Sequence, residues 1–79
     1  MNCPECGETL IIAKNEPDAV IVNNNIEIYE VVTMVCINSR IDLVKKSPVC
    51  SLYAGKDLSN PLKIAATIRN KRATKPISG

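Results

Sequence analysis

Residues 1–10 read MNCPECGETL. Cys3 and Cys6 stand three positions apart, with Pro4 between them and Gly7 directly after. A tight turn of this kind points its amide N–H groups at two sulfurs, and the glycine lets the chain leave through a left-handed conformation. CPxCG is therefore read as a metal-binding knuckle. Only two further cysteines follow, Cys36 and Cys50, with thirteen residues between them. Four thiols so placed can form one metal site, two disulfides, or a redox dithiol with two bystanders. A redox dithiol wants its motif at the start of a helix in a βαβ unit. Here the motif precedes an apolar stretch that reads as a strand. The N-terminal residues show no basic-then-apolar leader, and no apolar run approaches the ~18 residues that span a bilayer. A cytoplasmic chain with reduced thiols is expected, and there a patterned cysteine set points to metal before disulfides.

Seventy-nine residues make one domain at most. The core is thin in prospect: there is no Phe or Trp, and Tyr29 and Tyr53 are the only aromatic residues. Both are expected in the core or at its edge. A chain this short commonly needs a metal or disulfide staple.

Outward from the knuckle, residues 9–13 (TLIIA) read as a strand. Residues 14–18 (KNEPD) read as a turn punctuated by Pro17, and residues 19–22 (AVIV) as a second strand. Asn23, Asn24 and Asn25 make a hairpin tip, since asparagine tolerates positive φ. Residues 26–36 (IEIYEVVTMVC) alternate early and turn apolar on both faces later, as a long strand does on entering a buried setting. Residues 41–44 read as a short strand, 45–48 as a turn and 49–53 as another extended piece. Cys36 and Cys50 then stand at the two ends of a hairpin-like excursion. Beyond Gly55, residues 58–73 (LSNPLKIAATIRNKRA) carry the marks of a helix. Ser59 or Asn60 serves as N-cap, Pro61 takes the first helical position, and Arg69, Lys71 and Arg72 sit in the last turn. Residues 73–79 read as a frayed tail. The expected organisation is a β domain over residues 1–55, then a basic helix and tail over 56–79.

Charge divides along the same line. Residues 1–55 carry seven acidic and four basic side chains, and residues 56–79 carry one acidic and six basic. Lys63, Arg69, Lys71, Arg72 and Lys75 are the candidates for contact with phosphate or with an acidic protein face. Catalytic chemistry is sparse. With no histidine, the commonest general base near neutral pH is missing. The carboxylates show no pairing, and the glycines form no phosphate-binding loop. An enzyme is not expected.

MNCPECGETL resembles the first knuckle of the zinc ribbons. With an Asn-rich hairpin, an apolar strand and then Cys36 followed by Asn38, the chain more narrowly resembles small zinc-ribbon proteins of bacteriophages and prophages. The resemblance covers about residues 1–55, and its specific part is the knuckle. It implies a small β-rich (α+β) zinc ribbon, with antiparallel hairpins around one structural Zn²⁺ held by Cys3, Cys6, Cys36 and Cys50, plus the C-terminal helix. The family's spacing would put the last cysteine near position 41. Ile41 stands there instead, and Cys50 follows nine residues later, which implies an inserted loop (IDLVKKSPV) between the third and fourth ligands. The alternative is a degraded site whose fold stands without metal. The functional expectation is a non-enzymatic interaction module, an effector of the phage or mobile-element kind that binds and modulates a host protein. Nucleic-acid binding through the basic C-terminal segment is the alternative, although aromatic stacking groups are scarce. Few charges block the strand edge around residues 31–35, so a homodimer paired across that edge is a further expectation.

Overall fold

A computed structural model describes residues 1–77. Its strands are β1 (Ile11–Val22), β2 (Asn25–Val35), β3 (Ile41–Asp42), β4 (Ser47–Pro48) and β5 (Ala66–Pro76). β1, β2 and β5 form one antiparallel sheet with β2 in the centre, and β3 and β4 form a separate short hairpin. The expected hairpin tip is present. Asn23 (φ 49°) and Asn24 (φ 67°) both take positive φ between the paired residues Val22 and Asn25. That is the two-residue turn whose twist suits flanking strands.

Residues 14–18 are not a turn. β1 runs straight through them, with Pro17 opposite Glu30. An edge strand accepts the proline because one of its hydrogen-bonding sides has no neighbour. The irregularity falls earlier, where the register shifts between Ile12 and Lys14. Around the excursion, residues 41–42 do pair as a strand, but Ser47 and Pro48 belong to β4 and residues 50–52 form a turn.

The C-terminal helix is not formed, and among the described residues the chain is all-β. The residues expected to be helical instead supply β5, which pairs with β2 from Met34↔Ala66 to Asn25↔Pro76. The physical reason is tertiary. A helix of this length is marginal in water without a face to pack on, and its weak apolar stripe has no such partner here. The free side of β2 offers a full row of backbone donors and acceptors, and Thr67, Ile68 and Thr74 are β-branched residues that suit a pleated sheet. Four residues of the expected frayed tail, 73–76, are strand, and the amide of Ile77 donates to the carbonyl of Asn24 at 3.1 Å. Ser78 and Gly79 lie outside the described residues. Both sides of β2 are therefore occupied, so its edge near residues 31–35 is closed to a second chain.

Burial is concentrated at one end. Among the described residues the buried apolar ones are Cys3, Leu10, Val32, Val35, Cys36, Cys50 and Ala54. Three of them are cysteines, and Met34, Leu52, Ala65 and Ala66 pack against the cysteine cluster. The rest of the sheet extends away as a single layer, giving extents of 63 × 20 × 16 Å.

Candidate metal centre

The end of the sheet gathers the four cysteines. Cys3 and Cys6 lie on the N-terminal turn, Cys36 follows β2 directly and Cys50 lies two residues beyond β4. Their Sγ atoms all fall within 4.8 Å of one another. Cys3 and Cys50 are 3.6 Å apart and Cys6 and Cys36 3.5 Å apart. A disulfide is ~2.05 Å long, so the cysteines are free thiols. Sulfurs held ~2.3 Å from a zinc ion at the corners of a tetrahedron would be about 3.8 Å apart. The cluster has that size, and it can hold a metal ion.

Backbone hydrogen bonds build each half. In the first knuckle the Cys3 amide donates to the Glu8 carbonyl at 2.7 Å, and the Gly7 amide donates to the Cys3 carbonyl at 2.9 Å. Gly7 has φ 80°, which a β-carbon would strain. On the other side, the Tyr53 amide donates to the Cys50 carbonyl at 3.2 Å, and the Ala54 amide to the Cys36 carbonyl at 2.9 Å. The chain thereby returns from Cys50 to lie beside Cys36, with a parallel bridge between Cys36 and Tyr53. Tyr53 is half-buried at the edge of this core, while Tyr29 is half-buried on the open sheet.

The segment between the third and fourth cysteines is a hairpin. The Val49 amide donates to the Arg40 carbonyl at 2.9 Å. At the tip, Asp42 Oδ1 accepts from the amides of Val44 at 2.9 Å and Lys45 at 3.1 Å. Its two legs start and finish at the cysteine cluster, so the unusual spacing does not keep Cys50 from the other three sulfurs.

The thiols differ in electrostatic setting. The Asn38 side chain donates to Cys6 Sγ, and the Glu8 amide donates to it as well; together they draw its pKa down to about 6. Burial pushes Cys50 up to about 12 and raises Cys36, opposed by amides from Leu52 and Asn38 respectively. Cys6, Cys36 and Cys50 thus each accept from the amide two residues on, a repeated local device that tempers negative charge on sulfur. Asn38 ties the halves together. Its side-chain amide reaches Cys6, its backbone amide serves Cys36, and its Oδ1 accepts from the Arg40 amide at 3.1 Å. Sequence reading noted the Cys-x-Asn pattern without giving Asn38 a role.

The five candidate cations do not form one patch. Lys63 borders a groove of about 400 Å³ beside Cys50, also lined by Pro48, Tyr53 and Leu62. Lys75 pairs in register with Ile26, near the opposite end of β5. Between them, Arg69 forms an ion pair with Asp18 at 2.8 Å, Lys71 with Glu27, and Arg72 with Glu30. The Arg69 guanidinium also lies over the Tyr29 ring, 4.8 Å from its centre. No helix of the described residues is long and apolar enough to cross a membrane. Comparison with family models, curated proteins and solved structures finds no match to the chain.

Proposed function

We propose that the chain is a small non-enzymatic zinc module that docks on a protein partner through its metal end. Cys3, Cys6, Cys36 and Cys50 are its ligands. Four thiolates in a tetrahedron suit Zn²⁺, and a closed set of four leaves no position for substrate. The ion is structural: it replaces the interior that the few buried residues cannot supply. The reducing cytoplasm keeps such ligands as thiols. The resemblance to phage-type zinc ribbons supports an effector role against a host protein.

The observation that carries the docking reading is the β3–β4 hairpin. Leu43 and Val44 at its tip are 87% and 92% exposed, and Lys45 and Lys46 follow directly. Apolar side chains held out on a short, capped hairpin are costly to leave in water and suit an apolar pocket with an acidic rim. The nucleic-acid alternative loses support because acidic neighbours occupy Arg69, Lys71 and Arg72. The test is affinity capture with the metal-loaded chain and with a Leu43→Asp/Val44→Asp variant. A partner retained by the first and lost by the second, from a variant that still holds metal, supports the reading. Equal capture by both, or salt-sensitive retardation of DNA or RNA by the metal-loaded chain, refutes it.

A further inference from the structure

The long sheet is amphipathic and has only one layer. One face carries the ion-paired residues Asp18, Glu27, Arg69 and Lys71 around Tyr29. The register places a different set on the opposite face. Toward the metal end stand Ile12 and Ile68 beside Val32, Met34 and Ala66, of which Val32 is already buried and Met34 and Ala66 pack on the cysteine cluster. Toward the Asn23–Asn24 turn stand Ala19, Ile21, Ile26, Ile28 and Ala73, with Lys75 at the margin beside Ile26, and Asn15, Pro17 and Asn70 lie between the two groups around Glu30. Ile12 is 58% exposed and Ile21 72%. An antiparallel sheet ordinarily packs its apolar face on a second layer, and beyond the cysteine cluster nothing within the described residues covers this one.

We propose that the cover is a second copy of this chain, packed face to face and head to tail about a two-fold axis at Glu30. This proposal goes beyond the docking role above and does not require it. Three observations lead to it. Glu30 is the middle residue of β2, and its partner Arg72 projects to the same face from the bulge in β5. The apolar groups lie on either side of this charge pair. A head-to-tail two-fold places each apolar group on the other, and gathers the two Glu30–Arg72 pairs into one neutral cluster of four charges about the axis. That is the self-complementarity an isologous interface requires. The metal ends, lying beyond the strand ends, point in opposite directions and do not collide. The area is also sufficient. The chain exposes 5725 Å², whereas a compact monomer of its mass exposes roughly 4,700 Å². Three strands of 11–12 residues present a face of roughly 500 Å², so two such faces bury on the order of 1,000 Å², the low end of a specific interface.

The test is the mass in solution of the full, metal-loaded chain by light scattering and sedimentation. The expected mass is twice 8.6 kDa, falling to that of one chain in Ile28→Glu with bound metal retained. A charge experiment removes any doubt about folding of that variant. Glu30→Arg and Arg72→Glu each place like charges across the two-fold, and each is expected to run as one chain. An equimolar mixture is expected to restore the doubled mass, because the cluster about the axis is then neutral again. A wild-type chain that stays single at high concentration, an Ile28→Glu chain that stays doubled, or a mixture that stays single overturns the proposal.

Discussion

Replacing Asn38 by alanine separates the supporting shell of the cysteine cluster from the cysteines themselves. The side chain donates to Cys6 Sγ and accepts from the Arg40 amide at 3.1 Å. The second bond is exposed and contributes little. The first goes to a sulfur that is negative when metal is bound, and hydrogen bonds to charged groups contribute about 1.5–3 kcal/mol. If that stabilisation is felt only in the loaded state, the loss corresponds to roughly a ten- to hundredfold weaker hold on the ion, the range found when outer-shell partners of metal ligands are removed. The assay is competition against a graded series of chelators, followed by the metal retained per chain. Asn38→Ala is expected to surrender zinc to a weaker chelator than the wild type does, with its strand signal in circular dichroism unchanged when loaded. An unaltered competition curve would refute the role given to Asn38 and the idea that the two halves of the centre are coupled through it.

Cys50→Ser removes one of the four proposed ligands, a buried one, and leaves three. Structural zinc contributes ~10 kcal/mol or more of apparent free energy, while a domain of this size is stable by roughly 4–12 kcal/mol in total. The variant is expected to lose its cooperative thermal transition, and a well-folded, metal-free Cys50→Ser chain would contradict the ligand assignment. Zinc affinity should fall with pH, because burial keeps Cys36 and Cys50 protonated in the empty site, Cys50 up to about 12. Loading therefore expels at least two protons near neutrality, and one unit of acidification is expected to weaken binding about a hundredfold or more; a pH-independent titration would contradict this. Asn24→Val forces a β-branched residue to φ 67° and is expected to destabilise by ~1–2 kcal/mol, read as a lower melting temperature, whereas Asn24→Gly should be near neutral. Far-ultraviolet circular dichroism should show strand and no helical band, and a helical spectrum would contradict the placement of β5.

The parts of the fold legible in the sequence were those set by local chemistry. CPxCG specifies its turn through Pro4 and the positive φ of Gly7, and three asparagines specify a turn that needs two residues at positive φ. The approach of Cys50 to the other sulfurs was visible as a hairpin-like excursion. Residues 66–76 misled because Pro61, the alanines and the clustered cations satisfy helix rules locally. Their strand conformation depends on an unpaired side of β2, which no local window contains. Pro17 misled for the same kind of reason: it breaks a strand only where both sides are paired. Ion pairing of Arg69, Lys71 and Arg72 follows from the β5 register, so a basic segment that looked free to meet a partner is largely occupied by the sheet's own carboxylates. Asn38 could have been noticed from its place two residues after Cys36, where an amide and a side chain can both reach sulfur.

Native mass spectrometry of the chain, purified with zinc under reducing conditions and compared before and after a strong chelator, addresses the centre most directly. One zinc ion per chain is expected, with loss of the narrow folded charge distribution once it is withdrawn. A chain that carries no ion, and keeps its folded distribution and cooperative melting in the chelator, would show that the four sulfurs meet without gripping a metal.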